Sequence, residues 1–248
     1  MSLTRRALLA IVVLGTMPCR AHAQLDELLK QLPQLPGGAR GSTSPGSLGD
    51  VKIGEGLKQA LQVGTENAVK LTGRTDGYFK NQAIKILMPE KLKTLERGLR
   101  TVGYDREIDD FVLRMNRAAE QAAPSAKKIF WDAIGAMTID DARGILNGPQ
   151  TAATDYFKSK TTGQLTTAFS PVVHRTMAEV GVTKQYEDLF ARAQRLPFLN
   201  LEAFDLDQYV VGRSLDGLFH VVGDEEKKIR TNPTARVTDL LREVFGQR

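Results

Sequence analysis

Three ionisable residues on one predicted helix have a spacing that could support acid–base chemistry. Arg213, Asp216 and His220 stand at positions i, i+3 and i+7, which places them along one helix face. A carboxylate four residues before a histidine can hold the imidazole as an acid or a base. The alternative is an internal salt-bridged seam that fixes the register of the helix. We favour the seam, because no nucleophile accompanies the pair.

A second candidate group stands on an amphipathic helix near the middle of the chain. Asn116 and Glu120 are four residues apart and project from one face, and Arg117 lies between them. One interpretation is a polar lining for a pocket between helices. The other is structural: Arg117 and Glu120 form an ion pair, and Asn116 satisfies a neighbouring backbone group. We favour the structural interpretation, because buried polar groups must find partners whatever their role.

Two further sets of residues have ordinary structural explanations. We expect Tyr156 to pack its ring and to hydrogen-bond its hydroxyl at the rim of the core, and we retain it as a weak binding candidate. Glu226 and Arg230 are four residues apart in the favoured order, which predicts an ordinary surface ion pair.

Several chemistries lack the residues that they need. The single cysteine, Cys19, lies in a predicted leader, and only His174 and His220 follow that leader. The chain has no H-E-x-x-H motif and no phosphate-binding lysine loop. We therefore predict no catalytic residues, no metal and no cofactor.

The N-terminus has the pattern of a cleavable export signal. Arg5 and Arg6 precede an apolar run over residues 7–17, and Ala21-His22-Ala23 offers small residues for a signal peptidase. The run is shorter than the roughly 20 residues that a membrane span needs. We predict a signal peptide over residues 1–23, cleavage after Ala23, a periplasmic location and no transmembrane segment in the mature chain.

The charge balance argues against a nucleic-acid partner. The whole chain carries a formal charge of +5. Removal of the leader takes three arginines and leaves 31 basic against 29 acidic residues. Basic and acidic residues are interleaved throughout, whereas a nucleic-acid-binding face needs clustered basic residues.

The remaining chain divides into a tether and one folded domain. Residues 24–49 include a stretch rich in Pro, Gly and Ser, which is typical of a flexible segment. Residues 50–248 show helical periodicity almost everywhere, which predicts a single all-α domain of about nine or ten helices. Small residues at four-residue spacing (Gly56, Ala60, Gly64 and Ala68) form a smooth ridge on the first helix, over residues 50–71.

The pattern also predicts individual helix positions. Leu92, Leu95, Leu99 and Val102 form one apolar stripe, and a helix over residues 105–122 follows. A capping box begins at Thr138. Ser170-Pro171 indicates a new helix start after a short helix over residues 150–158. The helix over residues 205–222 is apolar nearly all round, and helices are also expected over residues 183–197 and from Thr238. Residues 83–88 are interpreted as an extended segment laid on the bundle.

Several strings resemble one known family, the domain of unknown function 4197, in the order in which that family has them. They include GLKQAL at residues 56–61, MNRAAE at 115–120, AATDYF at 152–157 and LDGLF at 215–219. The resemblance implies a secreted bacterial helical protein, periplasmic in a Gram-negative cell. The family has no established activity, so it supplies no catalytic residues.

These observations favour a non-enzymatic periplasmic binding or interaction protein. Its partner is a small apolar ligand or an envelope protein, and an apolar cavity rimmed by Asn116, Glu120 and Arg213 is the expected small-molecule site. The alternative is a hydrolase or other enzyme in which Glu120, Asp216 and His220 converge in one cleft. A third hypothesis is an envelope structural protein that oligomerises through the small-residue ridge.

Overall fold

The computed structural model describes residues 45–179 and 205–231. Its α-helices are α1 (Pro45–Gly73), α2 (Lys93–Thr101), α3 (Asp105–Ala122), α4 (Ala126–Gly135), α5 (Ile139–Asn147), α6 (Ala152–Glu179) and α7 (Leu206–Thr231). Short 3-10 turns, Glu90–Leu92 and Ala123–Ser125, precede α2 and α4. These two ranges contain no strand, so the predicted all-α class is confirmed for them. The expected count of nine or ten helices is not confirmed. The helices predicted over residues 183–197 and from Thr238 lie outside the described residues.

Helix α1 is longer than the sequence pattern indicated. It begins at Pro45, inside the segment predicted to be a tether, and runs through Gly56 and Gly64 without a break. Its small-residue ridge is buried and faces α7, where a Cβ atom at position 64 would lie 3.2 Å from Cδ1 of Ile229. The glycine therefore permits two helices of the same chain to approach closely, so packing within the chain accounts for the ridge.

The predicted core stripe is confirmed along α2 except at its end. Leu92, Leu95 and Leu99 are buried, whereas 68% of Val102 is exposed. The reason is that α2 ends at Thr101, so Val102 is in the cap and leaves the helical face. Helix α3 has the predicted bounds, and its predicted inward residues are buried: Ile108, Phe111, Val112, Met115 and Ala119.

The short helices α4 and α5 follow local sequence signals closely. Phe130 is fully buried, whereas its neighbour Trp131 is 40% exposed. Helix α5 begins at the predicted capping box. The Thr138 hydroxyl accepts from the backbone N–H of Asp141 at 3.1 Å, and the Asp141 carboxylate accepts from the backbone N–H of Thr138 at 3.0 Å. The box satisfies two N–H groups at this helix start.

The predicted helix break at Ser170-Pro171 is wrong. Helix α6 continues through Pro171, and the Ser170 hydroxyl donates to the carbonyl of Thr166 at 2.7 Å instead of capping a new helix. Tertiary packing explains the continuity. A buried stripe runs along both sides of the proline: Ala153, Phe157, Leu165, Phe169, Val173 and Met177. Burial of this stripe against α3, α4 and α7 outweighs the cost of one missing backbone hydrogen bond.

Helix α7 packs between α1 and α6 but is not apolar on every side. It ends at Thr231, beyond the predicted end at Val222. A stripe that includes Gly212, Arg213, Asp216 and His220 is exposed. The seam of Arg213, Asp216 and His220 is therefore on the surface, so the prediction of an internal seam is wrong.

A segment of turns followed by irregular chain, residues 74–89, joins α1 to α2 and is here called the strap. Ile84, Ile86 and Met88 are buried, and 56% of the intervening Leu87 is exposed. Residues 85–88 lie outside turns and helices, so the predicted extended segment is confirmed over these residues, whereas residues 83 and 84 lie in a turn. None of the helices in the described ranges combines the length and hydropathy of a membrane span.

Candidate functional site

Glu120 is a buried carboxylate that holds the beginning of the strap. Only 3% of the residue is exposed. Its Oε1 atom accepts from the backbone N–H groups of Tyr78 and Phe79, both at 3.1 Å. Its Oε2 atom accepts from Arg117 at 2.6 Å, and the same guanidinium donates to Asp76 at 2.7 Å. Both oxygens of Glu120 thus bind groups of the same chain.

Asn116 holds the end of the strap in a way that resembles a neighbouring strand. Its Oδ1 accepts from the backbone N–H of Ile86 at 2.9 Å, and its Nδ2 donates to the carbonyl of Ile86 at 2.8 Å. The second amide proton goes to the carbonyl of Val112 at 2.7 Å. The ion pair and the backbone partner of the structural interpretation are both present. These contacts place Asn116, Arg117 and Glu120 at a strap anchor and not around an open cavity.

Tyr78 connects the strap to α7, and the sequence pattern did not single it out. The side chain is fully buried, and its hydroxyl donates to the carbonyl of Ser214 at 2.6 Å. Burial raises the pKa of Tyr78 above its ordinary value, and the charges of Glu120 and Asp216 raise it further. A Cβ atom at position 217 would lie 2.6 Å from Cε1 of this ring. A glycine at position 217 is therefore a sequence signal of a close approach to α7. The sequence does not indicate that Tyr78 is the residue that approaches.

The prediction of an ordinary surface pair for Glu226 and Arg230 is wrong. Their side chains are 5% and 14% exposed. Glu226 accepts from the backbone N–H groups of Ala153 and Thr154, at 3.0 and 2.9 Å, and from the Thr154 hydroxyl at 2.8 Å. A carboxylate from α7 therefore caps the N-terminus of α6, where its negative charge is favoured by the helix dipole. Arg230 binds Glu226 and also the carbonyl of Ile145 near the end of α5, at 2.8 Å.

The three predicted polar residues of α7 are exposed. Arg213 donates to Asp216 at 3.2 Å, and 70% of the Asp216 side chain is exposed. Nε2 of His220 lies 3.7 Å from Asp224, so the histidine pairs one turn further along than predicted. The enzyme hypothesis required Glu120, Asp216 and His220 to converge. The buried Glu120 carboxylate instead binds the strap, while Asp216 and His220 face solvent.

Asp216 and His220 line an open depression of about 460 Å³ between the beginning of α6 and α7, here called the α6–α7 depression. Its other walls include three residues from the α6 side (Thr151, Thr154 and Lys158) and three from α7 (Phe219, Gly223 and Lys227). The Lys158 ammonium lies 6.0 Å from the centroid of the Phe219 ring. The depression thus combines an aromatic edge with charged side chains from two helices.

Two apolar pockets between helices of the described residues are too small for the expected apolar ligand. One lies beside Leu95 and Phe111 and holds about 20 Å³. Another lies beside Leu57 and Ile145 and holds about 10 Å³. A single water needs about 10–15 Å³ by the same kind of measure. These two sites therefore do not provide the predicted small-molecule cavity.

A second open depression, of about 600 Å³, lies beside Phe79 and one face of α3. Two of its carboxylates are bound by neighbouring arginines: Asp109 by Arg100 at 2.8 Å and Asp110 by Arg114 at 2.6 Å. Both aspartates of its lining are therefore engaged in ion pairs along the surface.

Tyr156 occupies the rim position that the sequence predicts. Its hydroxyl donates to the carbonyl of Ala133 at 3.1 Å, and its ring packs edge to face on Phe157 with centroids 5.8 Å apart. Partial burial raises the pKa of Tyr156. The residue does not line the α6–α7 depression.

Over residues 45–179 and 205–231, no three His, Cys, Asp or Glu side chains are grouped as metal ligands.

Comparison with known proteins identifies the family of this helical domain. The family model described as "Protein of unknown function (DUF4197)" matches residues 47–246, which include every helix from α2 to α7 and nearly all of α1. No curated protein and no solved structure matches the chain. The match confirms the resemblance that the sequence strings indicated: the chain belongs to the family of proteins of unknown function DUF4197.

Proposed function

We propose that this protein is a non-enzymatic binding or interaction protein that engages its ligand or partner at the α6–α7 depression. The observation that carries the proposal is the contrast between this depression and the other polar groups of the domain. Asn116, Glu120 and Glu226 are buried and bind backbone groups of the same chain. In the depression, by contrast, Lys158, His220 and other polar side chains from two helices are accessible around about 460 Å³.

The surroundings of the Thr154 hydroxyl in the depression favour binding over catalysis. Thr151 donates to Asp155 at 3.0 Å, and Thr154 donates to Glu226 at 2.8 Å. The Glu226 carboxylate is also bound by Arg230 and by two amides, so both of its oxygens already accept hydrogen bonds. A nucleophile needs an adjacent base that is free to take its proton. Thr154 lacks such a base, because the carboxylate that accepts its proton is already bound by Arg230 and two amides.

The proposal also includes the cellular location of the protein. The basic head, short apolar run and A-x-A end of residues 1–23 support export to the periplasm, and cleavage after Ala23 is the expected processing step. Fractionation of cells that produce the full chain, with sequencing of the mature N-terminus, tests this part. Recovery of the uncleaved chain in the cytoplasm would contradict it.

The central test uses two glycines of α7. A Cβ atom at position 223 would lie 3.6 Å from Oγ1 of Thr154, which is ordinary contact, so Gly223→Leu adds a side chain to the depression without forcing the backbone apart. Gly212→Leu is the matched control. Position 212 is exposed on the same helix, and a Cβ there meets nothing within 4 Å.

The measurement is native mass spectrometry of full-length protein recovered from the producing cells. We expect a retained small molecule or partner with the unmodified protein and with Gly212→Leu, and loss of it with Gly223→Leu. Retention by both variants would show that the bound species lies elsewhere. Absence of any bound species from the unmodified protein would contradict the proposal.

A further inference from the structure

The charged side chains of the α6–α7 depression differ in whether they form ion pairs. Its two acids each face a basic residue of their own helix: Asp216 faces Arg213 at 3.2 Å, and Asp224 faces His220 at 3.7 Å. Its two lysines, Lys158 and Lys227, form no ion pair with any residue in the described ranges. The two lysines are therefore the charged side chains of this lining that lack a partner of opposite charge within those ranges.

The two lysines come from different helices. Lys158 is on α6 and Lys227 is on α7, and both side chains are exposed at the same depression. A group that both ammonium ions bind would be held from both sides of the depression. Gln150 lines the same depression and offers an amide donor at the end of the loop before α6.

The helix terminus beside the depression is not the source of attraction. The backbone N–H groups of Ala153 and Thr154 are bound by Glu226, so a carboxylate of the chain already occupies the usual anion position at the start of α6. A ligand must therefore be recognised by the lysine side chains. The edge of Phe219 and the open backbone at Gly223 leave room for a less polar part of the same molecule.

From this arrangement we infer that the depression binds a small organic molecule that carries an oxyanion, held by Lys158 and Lys227. The inference rests on the proposed function, since it names the ligand class of the same depression. Lysine recognises an oxyanion as a point charge, and a hydrogen bond between ionised groups is about twice as strong as one between neutral groups. Phosphate and carboxylate groups share this chemistry.

The experiment titrates the intact protein with inorganic phosphate and, in a separate arm, with citrate. Both arms are run at constant ionic strength, with lysine side-chain NMR signals as the readout. We expect saturable shifts of the Lys158 and Lys227 signals in at least one arm, and the stronger arm distinguishes a phosphate from a carboxylate ligand. Loss of both cations (Lys158→Gln with Lys227→Gln) should raise Kd about tenfold or more.

The matched control removes two exposed lysines that lie outside the depression (Lys70→Gln with Lys91→Gln) and leaves the net charge equal to that of the test variant. An equal loss of affinity in the control would show a general charge effect and would overturn the inference. So would the absence of saturable shifts with both anions. If Gly223→Leu abolishes ligand retention while the lysine variant keeps it, the inference fails and the proposed function stands. If neither change affects retention, both fail.

Discussion

Glu120 shows how a single buried charge can be stabilising in this domain. A buried carboxylate is costly unless its oxygens are bound. Here two backbone amides and one guanidinium bind them. The backbone amides of Tyr78 and Phe79 benefit as well. They lie outside a helix and need a hydrogen-bond acceptor, which the carboxylate provides.

Replacement of this residue provides the first prediction. Glu120→Ala leaves two amides and the Arg117 pair without their acceptor, so we expect the free energy of unfolding to fall by about 2–4 kcal/mol. Glu120→Gln keeps one carbonyl oxygen and should cost less than Glu120→Ala. Urea denaturation measures both, with Glu107→Ala on the exposed face of α3 as the control. A loss in Glu120→Ala no larger than in this control would show that the strap does not depend on the carboxylate.

At the scale of elements, α7 organises the domain because it contacts several parts of the chain. Gly64 of α1 lets Ile229 approach, and Gly217 lets the Tyr78 ring of the strap approach. Glu226 caps α6, and Arg230 reaches the end of α5. Helix α7 thus combines close backbone contacts with two polar contacts to other helices. These contacts account for its many buried positions, while the remaining stripe of the helix is exposed.

The second prediction concerns two glycines on this helix, whose replacement by alanine should change stability in opposite directions. Gly217→Ala places a methyl group 2.6 Å from the Tyr78 ring, whose hydroxyl is fixed on Ser214, so we expect a loss of about 1–3 kcal/mol from overpacking. Gly212→Ala meets open space and should gain about 0.5–1 kcal/mol from helix propensity. Thermal and urea denaturation measure both effects. Equal changes in the two variants would contradict the close approach at Gly217.

At the scale of the whole molecule, polar contacts between distant segments hold together parts that local helix formation cannot align. The strap is bound by α3, α6 is capped by α7, and Lys127 of α4 reaches Glu66 of α1 at 2.8 Å. Two other carboxyls, Asp76 at the beginning of the strap and Asp141 in the capping box, have a lowered pKa, so stability should depend on pH.

The third prediction concerns this acid response. The pKa of Asp76 is lowered by its hydrogen bonds to Lys80 and Arg117, and the pKa of Asp141 is lowered by the backbone and hydroxyl of Thr138. A carboxyl whose folded pKa lies below its unfolded value stabilises the protein above the unfolded pKa, near 3.8. The contribution disappears as pH falls from there through the folded pKa.

Urea midpoints measured between neutral pH and about pH 2 test this sign. The unmodified domain should lose stability below about pH 4. A variant with both aspartates replaced (Asp76→Asn with Asp141→Asn) should begin less stable at neutral pH and show a shallower acid response. An unchanged slope in this variant would show that these two carboxyls do not contribute to the acid sensitivity.

Local sequence signals predicted much of the fold but only one part of the site. Helical periodicity predicted α3 with its correct bounds, and the capping box predicted the start of α5. The same local rules placed a false break at Pro171 and a false core position at Val102. The proline rule describes an isolated helix and does not include the buried stripe that continues on both sides of it.

The candidate site shows the same division between local and distant information. Asn116 and Glu120 were recognised as polar residues on an apolar face, which correctly indicated that each must have a partner. Their partners in the strap are 30 to 42 residues away in sequence, and no i to i+4 rule identifies them. For the same reason Glu226 was mistaken for a surface residue, since its amide partners are 72 and 73 residues away.

By itself, the sequence determined the helical class of the described domain, its family and most of its core face, because these depend on spacing within a few residues along the chain. Only the tertiary structure decided which polar residues are structural and which remain accessible. That distinction depends on segments far apart in sequence that pack together and either bind or leave free each charged group. The result is that Asn116 and Glu120 hold the strap, while Lys158 and Lys227 are available at the α6–α7 depression.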